Sequence, residues 1–99
     1  MCGAPDQDTL PELEVSPREA VVHGTVTRSG TGVPGAYVRL LDGTGEFTAE
    51  VQTSATGYFR FYAAAGDWTV RTLVPGQTID TQVTAVQGEA VSTSVEVPE

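Results

Sequence analysis

The chain contains no lysine and no asparagine, and among its 99 residues there is one cysteine, one histidine and one tryptophan. Each shortage removes a class of chemistry. Without lysine there is no Schiff base, no lysine general base and no phosphate-binding lysine of the Walker type. Without asparagine there is no acceptor for N-glycosylation. The lone cysteine, Cys2, has no internal disulfide partner, a usage that fits a reducing compartment. His23 by itself falls short of a zinc site, which wants three or four N/S ligands, so neither a metal nor a cofactor is expected. Ser54, Ser92 and Ser94 have no evident base, which argues against a hydrolytic triad. The segment Asp42-Gly-Thr-Gly-Glu46 is too short and too poor in carboxylates for a calcium loop.

Long apolar runs are missing as well. No stretch approaches the length that spans a bilayer. The first nineteen residues carry Asp6, Asp8, Glu12, Glu14 and Glu19 and no apolar run, unlike a signal peptide, and a lipoprotein-type cysteine would need an apolar segment where only Met1 precedes Cys2. A cytoplasmic location is the expectation. Positive charge is scarce too: thirteen acidic side chains face five arginines, for a net charge of −8. A field of that sign repels phosphate backbones and anionic lipid, so neither nucleic acid nor a membrane is an expected partner, and a basic protein surface suits it better.

What is present is period-two alternation. Residues 1–19 read as an extended N-terminal tail in which Pro5, Pro11 and Pro17 favour open conformations, with Leu10, Leu13 and Val15 able to lie against a folded body. From Ala20 to the end at Glu99 the pattern predicts one all-β domain, an antiparallel, Greek-key-like sandwich of about seven strands. The expected strands are Ala20–Arg28, Ala36–Asp42, Glu46–Ser54, Tyr58–Ala63, Trp68–Val74, Thr78–Val86 and Ala90–Val97. Glycine-containing turns separate them. Inward positions include Val22, Val26, Val38, Leu40, Phe47, Ala49, Val51, Phe59, Phe61, Trp68 and Val70, and the two phenylalanines and the tryptophan are the expected core anchors.

The strings His23-Gly-Thr-Val26, Gly32-Val-Pro-Gly-Ala-Tyr-Val-Arg-Leu40, Thr56-Gly-Tyr-Phe-Arg-Phe61 and Ala65-Gly-Asp-Trp-Thr-Val70 together resemble carboxypeptidase regulatory-like (transthyretin-like) domains. That resemblance implies a small β-sandwich, and its motif positions are turns and core rather than chemistry. The Met-Cys start, Val38-Arg-Leu-Leu-Asp42, Glu46-Phe-Thr-Ala-Glu-Val51, Ser54-Ala-Thr-Gly57 and Phe59-Arg-Phe61 are similar to the actinobacterial SseC-type proteins. Those proteins tend to sit beside thiosulfate sulfurtransferase (rhodanese-like) genes, so the resemblance implies a cytoplasmic accessory role in sulfur metabolism with a thiosulfate sulfurtransferase as partner. It supplies no catalytic residue. Pilin-type sandwiches of related fold carry a lysine isopeptide crosslink, which is closed to a chain without lysine.

Two groups of residues are candidates for function. Cys2 is the first. Removal of Met1 would leave a cysteine whose neighbouring α-ammonium favours thiolate, and with a sulfurtransferase nearby such a thiolate is a candidate persulfide acceptor. The alternative is a terminal thiol without a role. A pairing of Cys2 with His23 is a further option, against which His23 reads as a solvent-facing or edge residue. The second group is Arg39, Arg60 and Arg71, mid-strand and opposite the core positions, bordered by Tyr37, Tyr58 and Tyr62. If their strands are neighbours, the arginines form a positive binding patch; the alternative is cross-strand pairing with Glu46 and Glu50.

The functional expectation is a non-enzymatic accessory module. Alternatives are a sulfur carrier using Cys2 and a plain sandwich that binds carbohydrate or another protein.

Overall fold

The computed structural model describes residues 18–98. Eight strands follow in chain order: β1 Ala20–Arg28, β2 Thr31–Gly32, β3 Tyr37–Leu41, β4 Phe47–Gln52, β5 Tyr58–Ala63, β6 Gly66–Val74, β7 Gln77–Ala85 and β8 Ala90–Glu96. All seven expected strands are present, and the eighth is the two-residue β2 inside the Ser29–Gly35 turn cluster, folded back on the end of β1. The described residues include no helix long and apolar enough to cross a membrane.

The strands form two sheets. In the first, β1 is central, with β5 and the short β2 along one side and β8 along the other; the second has the order β4-β3-β6-β7. One feature departs from a wholly antiparallel expectation: β8 runs parallel to β1 from Val21↔Ala90 to Thr27↔Glu96. The reason lies in the connection before it. The chain leaves β7 in the second sheet and changes sheets over residues 86–89, so β8 enters alongside β1 instead of folding back as a hairpin. Val21 N–H to Glu89 O (3.0 Å) and Val97 N–H to Thr27 O (2.8 Å) fasten its two ends. A parallel neighbour is available because the first and last strands have the whole chain between them as a crossover.

Alternation places the core where the pattern puts it. Val22, Val26, Val38, Leu40, Val51, Phe59, Phe61, Val70, Val83, Val95 and Val97 are buried between the sheets. Phe59 and Phe61 are fully enclosed and lie 6.1 Å apart between ring centroids. Trp68 is less of an anchor than expected. It is only partly buried against the core, and its indole N–H donates to Ala64 O at 2.8 Å. Its place near the start of β6, at the margin of the sandwich, gives the ring one apolar side and one polar side.

Phe47 reverses its expected side. It pairs with Leu41 while Ala49 pairs with Leu40, so a bulge puts one extra residue into β4 and turns Phe47 out of the core to 60% exposure. Side-chain alternation cannot reveal an inserted residue, because the slip that causes it lies in the pairing.

Thr72 is a buried polar residue on a core-facing position of β6. It is completely buried and its hydroxyl has no hydrogen-bond partner. Leaving a hydroxyl unbonded away from water costs about 1–3 kcal/mol, and valine has the same shape without that cost. Thr72→Val is therefore expected to raise stability by about 1–2 kcal/mol, a shift of several degrees in a thermal melt. A melting temperature that stays level or falls would mean that the hydroxyl is bonded after all.

Candidate functional site

The outer face of the second sheet carries a row of four charged side chains that crosses all its strands. The register pairs Glu50 with Arg39, Arg39 with Arg71, and Arg71 with Asp80. Two arginines thus stand directly opposite one another, an arrangement that repels by itself. A carboxylate on each flank relieves it. Arg39 Nε donates to Glu50 Oε2 at 2.6 Å. Arg71 grips Asp80 with two bonds, Nε to Oδ1 at 2.8 Å and a terminal guanidinium nitrogen to Oδ2 at 3.0 Å. The hydrogen bonds from Arg71 hold the Asp80 carboxyl below the usual carboxylate range, and those to Asp80 push the Arg71 guanidinium up. Exposed pairs of this kind add little to stability. Their effect is to fix where the guanidinium planes lie.

Aromatic side chains flank this row. Tyr37, 48% exposed, lies on the same face two residues before Arg39, between Gln52 and Leu73. On the other flank Phe47 sits beside Leu41, with the Arg39 guanidinium 5.9 Å from its ring centroid. The face reads aromatic, charged, aromatic across a four-stranded sheet.

Arg60 is elsewhere. It belongs to β5 in the first sheet, opposite His23, so the three arginines do not make one patch. Arg39 and Arg71 are brought together, and Arg60 with Tyr58 and Tyr62 is carried to the other side of the sandwich. Period-two alternation says which residues face outward but not on which sheet, and that assignment separated them. Arg60 is also buried, at 4% exposure, and its Nε has no hydrogen-bond partner. Its guanidinium lies 5.6 Å from the Tyr62 ring. His23 lies in the central strand of that sheet rather than at an edge. Its Nδ1 is 3.2 Å from the Tyr58 hydroxyl, with the two rings edge-on at 5.8 Å. Burial, then the nearby Arg60 charge, lowers the His23 pKa from its ordinary value, and burial raises that of Tyr58. Cys2 lies outside the described residues, as does the rest of the stretch 1–17.

Of the two carboxylates expected to pair with the arginines, Glu50 does so. Glu46 instead sits in the turn before β4, its backbone N–H donating to Asp42 Oδ1 at 3.0 Å. Asp80 was not among the expected partners, yet a signal for it exists in the sequence. Pro75-Gly76 forms a two-residue turn, with Gly76 at φ 78°, and pairs Val74 with Gln77; counting back along both strands brings Arg71 opposite Asp80. Thr53 also escaped notice. Its hydroxyl donates to Val33 O at 2.6 Å and accepts from Ala36 N–H at 2.9 Å, tying down the loop that leads to Tyr37.

These features define a class: a small two-sheet β-sandwich with an aromatic-flanked charged row on one outer face. Two solved structures share the fold. The dioxygenase domain of a dioxygenase carbohydrate-binding protein fusion from the cellulolytic bacterium Streptomyces sp. SirexAA-E matches with a TM-score of 0.65 and 14% identity, covering 95% of this chain and 88% of that one. The major pilin subunit BcpA of Bacillus cereus matches with a TM-score of 0.62 and 14% identity, over 81% of this chain and 30% of that one. At that identity the likeness is one of fold alone.

The chain belongs to the family described as "Protein of unknown function (DUF1416)", which matches residues 2–97. Among its relatives are the uncharacterized proteins Rv0814c and Rv3118 of Mycobacterium tuberculosis, each 53% identical over 75 residues, 74% of this chain and 75% of theirs. An uncharacterized protein of Mycolicibacterium smegmatis is 63% identical over 57 residues, 57% of this chain and 63% of its own length.

Proposed function

We propose that this chain is a non-enzymatic accessory module that docks a protein partner on the outer face of its four-stranded sheet. One observation carries the reading: Tyr37 and Phe47, 48% and 60% exposed, flank an arginine row whose guanidinium groups are already held in place by carboxylates. Leaving a phenylalanine in water forfeits the burial that the unbulged register would give it, and bulges often re-aim side chains at functional sites. Tyrosine, phenylalanine and arginine are the residues that interface centres favour. Because both arginines are ion-paired, the row suits a partner's polar surface better than a free anion.

The partner is a thiosulfate sulfurtransferase in the cytoplasm, a choice that rests on the resemblance to SseC-type proteins described above. Calorimetry with the purified sulfurtransferase tests it. Saturable binding is expected, weakened about tenfold or more by the double change Tyr37→Ser and Phe47→Ser, with the melting temperature nearly unchanged. No binding, or binding indifferent to these two changes, would overturn the proposal. Loading of Cys2 with sulfur is the second reading; nothing in residues 18–98 bears on it.

A further inference from the structure

At one end of the sandwich, the loop between β2 and β3 and the turn between β6 and β7 border an open-sided cavity of about 390 Å³. Its walls include Val33, Pro34, Tyr37, Leu73 and Pro75, with Arg28 from the end of β1. That volume is in the range of small-molecule sites, which are typically apolar with a few placed polar groups. Two facts about charge single it out. Among the described residues no acidic side chain lines this wall. Arg28 is the one ionisable cation there, and among the described residues no carboxylate pairs with it, whereas Arg39 and Arg71 both have partners.

The cavity is also built on fixed backbone. Thr53 clamps the loop from both sides, through Val33 O and Ala36 N–H to its hydroxyl and Gly35 N–H to its carbonyl at 3.1 Å. Pro34 and Pro75 restrict the two rims. The loop's own donors are spent: Val33 N–H goes to Val26 O, Gly35 N–H to Thr53 O and Ala36 N–H to the Thr53 hydroxyl. An anion in the cavity therefore has no backbone nest to enter and must meet the Arg28 guanidinium, with the Tyr37 hydroxyl as the other polar side chain of the wall.

We infer that this cavity binds a small monocarboxylate with a compact apolar body, such as an arylacetic or branched aliphatic acid. The carboxylate meets Arg28, which offers planar, bidentate donors, and the body packs on Val33, Pro34, Leu73 and Pro75. One guanidinium that no described carboxylate pairs balances one negative charge; a phosphate or dicarboxylate would bring more charge than this wall can meet, inside a protein of net charge −8. The site is separate from the docking face in its charged group, because Arg28 is not part of the Glu50–Arg39–Arg71–Asp80 row.

The test is a titration of the full chain with phenylacetate, followed through its backbone amide and arginine Nε–H resonances, beside the neutral isostere phenylacetamide. Saturable shifts at Arg28, residues 33–37 and residues 73–76 are expected, with a Kd of roughly 0.1–1 mM for a ligand of this size. Arg28→Gln should weaken phenylacetate at least tenfold and leave phenylacetamide within about twofold. Arg28 is exposed at a strand end, so the variant should fold, which its amide spectrum verifies directly. Absence of saturable shifts, equal affinity for acid and amide, or indifference to Arg28→Gln would each overturn the inference. Any of these leaves the sulfurtransferase measurement untouched, so the two proposals fail separately.

Discussion

Gly24→Ala is expected to cost on the order of 4 kcal/mol or more, a large share of the stability of a domain this small. Gly24 lies in the middle of β1, the central strand of its sheet, paired with Phe59 of β5 and Thr93 of β8. A Cβ at this position would stand 1.7 Å from Thr93 O, 2.8 Å from Thr93 C and 3.2 Å from Phe59 Cζ. The first two are backbone atoms and cannot swing aside as a side chain would. Relief requires β8 to move away, which breaks its ladder with β1, the one it has among the described residues, and disturbs the packing of Phe59. The measurement is thermal and urea denaturation followed by circular dichroism, with soluble yield as a first readout. A variant that melts within a few degrees of the wild type would show that β8 approaches β1 less closely than described. The glycine of the His23-Gly-Thr-Val26 string thus has a specific cause, the close passage of a parallel strand, and not a turn.

The second large effect is a contrast between two aromatic residues that look alike in the sequence. Phe61→Ala is expected to cost about 3–5 kcal/mol, because the ring is 1% exposed and its removal leaves a cavity between the sheets. Trp68→Ala should cost roughly half as much, since less of its area is removed from water and part of its stability is a single hydrogen bond to Ala64 O. Urea melts of the two variants give the order. If Trp68→Ala proves the more damaging, the indole is a true core residue and the margin of the sandwich around Gly66–Val70 is more closed than its geometry indicates. The same contrast extends to Phe47, whose replacement by serine removes no buried packing and should leave stability nearly unchanged; that is why it can be used to probe docking.

The candidate face was half legible. That Arg39 and Arg71 point outward follows from the buried Val38, Leu40 and Val70 on the alternate positions. Their placement opposite each other depends on β3 pairing with β6, two strands separated by β4, β5 and three turns. Arg60 shows the limit from the other side. Its alternation with Phe59 and Phe61 is as clean as that of Arg39 with Val38 and Leu40, yet it ends on the opposite sheet and buried. Asp80 was within reach through the Pro75-Gly76 turn, a local feature that sets a register. Arg28 had no such signal: its place on the wall of one cavity, with no described carboxylate beside it, is a property of the assembled surface.

The sequence by itself determined the residue types available for chemistry in this chain, the all-β class, the seven principal strands and most of the inward positions. These follow from residue counts and from alternation, whose physical basis is local: side chains in a strand point to opposite faces, so burial of one face is written at every second position. Tertiary structure alone decided the bulge that exposes Phe47, the parallel entry of β8, the dispersal of the three arginines and the place of Arg28 on the wall of its cavity. All four are set by which distant strands pair and in what register. That choice is made by the summed packing of the whole core, and no short segment of the chain carries it.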